Sequence, residues 1–189
     1  MKELVIDIET QNIFGPRRDT KELKVSIVGT FDYHDNQFFV YEENVLDRLW
    51  KKMEDAERVI GYNINGFDLP VLNNYYKGNL LKLKVLDLMD EVTKVLGFRV
   101  KLDSLAEATL GTKKSGDGLQ AVKFWQEGRV EELKKYCLDD VAITRDLYEF
   151  GKKNKHLKVY DRFLGKIREI PVNFDLPVAE VKPINLSLF

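Results

Sequence analysis

Asp7 and Glu9 stand two residues apart inside the run ELVIDIET, whose other members include Leu4, Val5, Ile6 and Ile8, the composition of a buried strand. An unpaired carboxylate buried there costs several kcal/mol, so something must compensate. Side chains alternate along a strand, which sends Asp7 and Glu9 to one side and Ile6 and Ile8 to the other. Two like charges side by side are unfavourable unless a cation sits between them, and hard divalent ions such as Mg²⁺ or Mn²⁺ prefer carboxylate oxygen. Further ligands are offered in two places. Asp68, in GYNINGFDLPVL, begins a helix that follows a strand, and Tyr136 and Asp140, in YCLDDVAITRDLY, lie one helical turn apart on a shared face. Each piece alone has a plainer reading: Asp7 and Glu9 as the solvated edge of a half-buried strand, Asp68 as a helix N-cap. Together the segments supply Asp7, Glu9, Asp68 and Asp140, with Tyr136 beside the last.

The elements that must carry these residues follow from hydrophobic periodicity. Residues 3–9, KVSIVGTFDY and QFFVYEE read as three antiparallel strands, with HDN as the turn between the last two. NVLDRLWKKMEDA is helical, with Val45, Leu46, Leu49 and Met53 on one face, and RVIGYN is a short strand. GFDLPVLNNYYKG reads as a helix that tolerates Pro70 only in its first turn. A strand around KVLDLM and a run of helices follow, the longest predicted over Arg129 to Phe150. Its residues Leu133, Tyr136, Cys137, Asp140, Val141 and Thr144 recur at spacings of three and four. After Gly151 the pattern alternates like a hairpin with a basic excess, and from Asn173 two prolines mark an extended tail.

The chain has 189 residues, 44% of them hydrophobic, which predicts one domain around one core. A formal net charge of −1 announces no global basic field, although local patches can hide in a balanced total. The single cysteine, Cys137, excludes an intramolecular disulfide and any multi-cysteine zinc site, and with only His34 and His156 available a metal must be held by oxygen. Charges interrupt every apolar run before it reaches the length of a signal peptide or membrane span, so a cytoplasmic protein is expected.

The motifs DIET, YNINGFD and YCLDD, in that order, resemble those of DEDD-type 3′-to-5′ exonucleases of the DnaQ-like, ribonuclease-H-like superfamily. Within it the chain is most similar to YprB-like ribonuclease-H-like proteins and to the proofreading domains of family B DNA polymerases, over roughly residues 1–150. The resemblance implies an α/β fold with a mixed five-stranded sheet flanked by helices over residues 1–151, followed by an accessory β-hairpin at 152–172 and a tail at 173–189. It implies two Mg²⁺ or Mn²⁺ ions, Asp7 bridging both, Glu9 and Asp140 completing the site of the ion that activates water, and Asp68 holding the second ion or its water. Tyr136, four residues before Asp140, matches the tyrosine subclass, whose hydroxyl orients the attacking water; the histidine subclass needs His five residues before that Asp, where Lys135 stands. The implied reaction is hydrolysis of single-stranded nucleic acid with a free 3′ end, DNA favoured, to nucleoside 5′-monophosphates.

Nucleic-acid contacts are expected from Thr10, Asn63, Asn65 and Phe67, and from Lys113, Lys114 and Ser115 in the basic, glycine-rich GTKKSGDG. Their plainer readings stay open: turn backbone for Asn63 and Asn65, core packing for Phe67 and Trp125, a flexible connection for the loop. Asp87 fits either a buried carboxylate behind the site or a turn or cap, and Asp139 points about 100° away from Asp140, toward solvent. The closing INLSLF resembles the bacterial sliding-clamp-binding peptide, with Asn185 in place of glutamine before Leu186, Ser187, Leu188 and Phe189. That reading favours DNA and a replication or repair setting; the alternative is a tail folded on its own domain. Two rival functions share the motifs, a ribonuclease-H-like endonuclease and an inactive nucleic-acid-binding or clamp-tethered adaptor.

Overall fold

β1 (Glu3–Thr10) is buried on both faces because it lies in the middle of a sheet covered on both sides. It pairs antiparallel with β2 (Val25–Asp32), which pairs antiparallel with β3 (Gln37–Glu42). The chain then crosses through α1 (Asp47–Asp55) to β4 (Arg58–Gly61), parallel to β1, and through α2 (Asp68–Leu72) to β5 (Val85–Asp87), parallel to β4. The result is a mixed five-stranded sheet in the order β3-β2-β1-β4-β5, the fold class expected. The computed structural model describes residues 2–112, 118–161 and 164–176.

Leu4, Ile6 and Ile8 of β1 face a core shared with Leu49 and Met53 of α1. Val5 faces the opposite core, closed by the long α6 (Val130–Asn154) through Val141 and Leu147. Between these elements run α3 (Leu88–Leu96), α4 (Leu102–Leu110) and α5 (Gly118–Gln126). Asp7 and Glu9 thus belong to the α6 side of the sheet by strand alternation alone.

Several expectations are corrected. α6 continues past Phe150 to Asn154, ending where Lys155 takes a left-handed φ of 59°. Gly151, inside that helix, is a packing residue: a Cβ there would collide with the ring of Phe174. The hairpin, β6 (His156–Asp161) and β7 (Lys166–Pro171), starts later than expected, because residues 152–154 are helical. It is also part of the main core, since Leu157, Val159 and Ile170 are buried with Val5 and Val141. The expected tail begins as core too, with Phe174 fully buried in the slot over Gly151. The helix expected across GFDLPVLNNYYKG is only the five residues of α2, because Asn73 turns its side-chain oxygen to the Leu80 amide and ends the helix in a turn. Among the described residues no helix is long and apolar enough to cross a membrane.

Candidate active site

Asp7 and Glu9 enter the site from β1 and Asp140 enters from α6, and one carboxylate oxygen of each lies within 4.8 Å of the others. The approach of α6 to the sheet depends on Gly29, directly opposite Asp7 on β2. A Cβ at Gly29 would lie 2.8 Å from Cys137 Sγ and 3.0 Å from Val141 Cγ2, so a larger residue would push α6, and Asp140 with it, off the strands. Cys137 fills that contact as a small buried group, its Sγ 3.5 Å from the Asp7 carbonyl. Burial, with the Asp7 carboxylate next to it, raises its pKa and keeps the thiol neutral.

Glu9 and Asp140 are buried and Asp7 half-buried, so three like charges converge where water screens them poorly. Such an all-oxygen set fits Mg²⁺ or Mn²⁺ and not a soft thiolate-binding ion. Asp139, adjacent to Asp140, points outward as expected and pairs with Lys135 at 2.6 Å.

Asp68 is brought next to this trio without joining it. It is the first residue of α2, and its Oδ1 accepts the Ile8 backbone N–H at 3.2 Å, between the two β1 carboxylates. The β1/β4 ladder ends at Val5 and Ile60, so Asp68 takes over as the acceptor for that edge where β4 no longer reaches. Burial pushes the Asp68 carboxyl up to about 7, with the Asp87 charge adding to the rise and the Ile8 N–H opposing it. Its folded pKa is therefore above the unfolded value of 3.8, and the stability it contributes is present below that value and lost as pH rises through about 7. In metal-free protein, Asp68→Asn should gain stability relative to wild type between about pH 4.5 and about pH 7.5, read by urea unfolding in chelator. An unchanged difference across that range would mean that Asp68 does not titrate there.

Tyr136 lies one turn before Asp140, 8% exposed, its ring edge-on to Phe124 with centroids 6.3 Å apart. It lines an open groove of about 410 Å³ between α6 and the α4 and α5 side, together with Leu110, Phe124, Ile143 and Asp146.

The remaining predicted contacts are placed as follows. Thr10 is buried and its hydroxyl donates to the Asn12 carbonyl at 2.8 Å. Asn63 takes a left-handed φ of 63° and its backbone N–H donates to Asp87 Oδ1 at 2.9 Å; its side-chain oxygen lies over Gly66, where a Cβ would come within 2.6 Å. Asn65 is exposed and its amide donates to Asp90 Oδ2 at 2.8 Å. Phe67 is half-buried against the edge of Phe14, with the Arg18 guanidinium 5.1 Å from the Phe14 ring centre. Trp125 packs against the cluster of Ile27, Phe124 and Tyr136. Lys113, Lys114 and Ser115, and Asn185 to Phe189, lie outside the described residues.

Sequence reasoning missed Gly29, although a glycine inside an apolar strand is a signal of close backbone approach. It also missed Glu3, on the same side of β1 as Asp7 and Glu9 at the same spacing of two, which is a structural carboxylate: it is bonded by Arg58 and Tyr148 at the opposite end of the strand.

A family model described as the RNase H superfamily matches residues 4–150. The chain belongs to the RNase H superfamily. Its sheet order, its three-carboxylate cluster and its nuclease-type fold are thus of one piece, in a superfamily whose nucleases typically use divalent metals. Among solved structures, it is similar to the family B DNA polymerase from the hyperthermophilic archaeon Pyrobaculum calidifontis, with a TM-score of 0.62 and 21% identity over 79% of this chain. That match spans only 24% of the polymerase chain, so the likeness is one of fold. A search of curated proteins returns no match.

Proposed function

We propose that this protein is a metal-dependent 3′-to-5′ exonuclease acting on single-stranded nucleic acid, with DNA favoured, and releasing nucleoside 5′-monophosphates. The observation that carries the reading is the convergence of Asp7, Glu9 and Asp140 within 4.8 Å of one another, from a strand and a helix far apart in sequence, on an RNase H fold. Asp7, Glu9 and Asp140 would hold Mg²⁺ or Mn²⁺, with Asp68 behind them fixing the strand between the first two. When bound, such ions lower the pKa of water and neutralise the charge that develops on the attacked phosphate. Tyr136 orients the attacking water with its hydroxyl, and it is the residue that the groove beside α6 shares with this site. The C-terminal peptide, if it engages a sliding clamp, places the reaction in DNA replication or repair.

The test uses 5′-labelled single strands of DNA and RNA with Mg²⁺ or Mn²⁺, beside a circular single strand. A ladder shortening from the 3′ end, with the circle untouched, supports the exonuclease. Cleavage of the circle moves the assignment to an endonuclease, and no cleavage with either metal moves it to a binding module. Tyr136→Phe should lower kcat by about ten- to a hundredfold while leaving KM and the Mn²⁺ affinity near wild type, because only the hydroxyl that positions the nucleophile is lost. An equal loss in Mn²⁺ affinity would instead assign Tyr136 to supporting the metal ligands.

A further inference from the structure

Asp87 is 4% exposed, lies at the end of β5, and is not one of the three clustered carboxylates. It nevertheless accepts four backbone N–H groups: Met89 at 3.0 Å and Asp90 at 3.4 Å, which cap α3, and Asn63 at 2.9 Å and Asn65 at 3.0 Å, in the turn that leads into α2. Oδ1 makes the cap and also accepts the Asn63 N–H, and Oδ2 is given to Asn65. A cap alone needs one oxygen and is satisfied by serine; holding a second segment with both oxygens at once is a different task. The turn it grips is one that needs gripping, since Asn63 sits in the left-handed region. Asp68 follows directly, and its Oδ1 holds the Ile8 N–H on β1.

We infer that Asp87 is a positioning residue for the carboxylate site: through the Asn63 and Asn65 amides it fixes the turn that sets Asp68 against the Ile8 N–H, and so the spacing of Asp7 and Glu9 on either side. The inference rests on the nuclease reading for its catalytic consequence, but its structural link is measured without metal or substrate. A carboxylate is required because Oδ1 is shared by the cap and Asn63 while Asn65 needs a second acceptor oxygen; asparagine would turn an N–H₂ toward one set of these donors.

The experiment is amide hydrogen exchange on the metal-free full chain, comparing wild type with Asp87→Ser, which retains an α3 cap but cannot span to the turn. Exchange at Asn63, Asn65 and Ile8 should quicken by about tenfold or more, while Val5, paired with Phe31 on the same strand, keeps its protection. A general loss of stability would speed Val5 and Ile8 together, and unchanged exchange at Ile8 would reduce Asp87 to a cap; either overturns the inference. Asp87→Asn supplies the same readout if the serine variant does not fold. In the nuclease assay the serine variant should lose about tenfold or more in kcat with KM near wild type. If wild type itself shows no nuclease activity, the proposed function falls while the exchange result still decides the role of Asp87.

Discussion

Asp7→Ala should abolish metal-dependent cleavage and at the same time leave the metal-free fold as stable as wild type or more so. The activity loss follows from charge. A divalent cation contributes several kcal/mol of stabilisation to the charge that develops on phosphate, and at about 1.4 kcal/mol per factor of ten that corresponds to a fall of about a thousandfold or more. Asp7 is the least buried of the three clustered carboxylates, with Glu9 two residues along β1 and Asp140 on α6. The stability gain has the same origin. Three carboxylates with oxygens within 4.8 Å repel one another when no cation is bound, so removing one relieves the metal-free protein. Thermal unfolding with and without Mn²⁺ measures both halves: wild type should be raised by the ion through mass action and the variant should not. A variant that is destabilised without metal and still responds to Mn²⁺ would show that Asp7 is a structural group.

Arg58→Ala should have the largest effect on stability, about 3 kcal/mol, because it removes the nearer cation of buried Glu3 and leaves that carboxylate with the Tyr148 hydroxyl and the more distant Lys152, whose Nζ lies 3.6 Å from Oε2. Glu3 is fully buried and Arg58 is 5% exposed, with Nη2 2.6 Å from Glu3 Oε1 and Nε 3.0 Å from the same oxygen. The second Glu3 oxygen accepts the Tyr148 hydroxyl at 2.7 Å. The same guanidinium donates to the Phe174 carbonyl at 2.8 Å, so the substitution also frees the segment whose ring occupies the slot over Gly151. Urea unfolding should give a lower midpoint, and limited proteolysis should cut after the hairpin sooner than in wild type. Glu3→Gln is the gentler partner: it keeps the shape and an acceptor for Arg58, and should cost less than Arg58→Ala. Equal losses for the two would indicate that the buried guanidinium, rather than the buried carboxylate, sets the cost.

Much of this was legible because it depends on local periodicity. Alternation along ELVIDIET is enough to send Asp7 and Glu9 to the same side, and a four-residue spacing is enough to put Tyr136 and Asp140 on one face of a helix. The errors cluster where a residue serves a distant neighbour. The helical pattern fades at Phe150, yet α6 runs on through Gly151, where Phe174 occupies the space of the missing Cβ. The hairpin reads as an appendage because its strands alternate, yet alternation only states that one face is apolar, and that face is buried against α4 and α6.

The carboxylates divide in the same way. Asp7, Glu9, Asp68 and Asp140 are all equally acidic in the sequence, but three of them converge within 4.8 Å, while Asp68 gives Oδ1 to a backbone amide beside them. Glu3 shares the spacing and the strand face of Asp7 and Glu9 and has the opposite fate, since Arg58 and Tyr148 reach it. The sequence by itself determined the element types, the strand face of the acids, the oxygen character of any metal site and the order of the motifs. Tertiary structure alone decided which carboxylates meet one another and which meet a cation or an amide. The reason is that helix and strand periods are properties of neighbouring residues, whereas the partner of a buried charge is set by packing distances such as that between Gly29 and Cys137, which no local pattern contains.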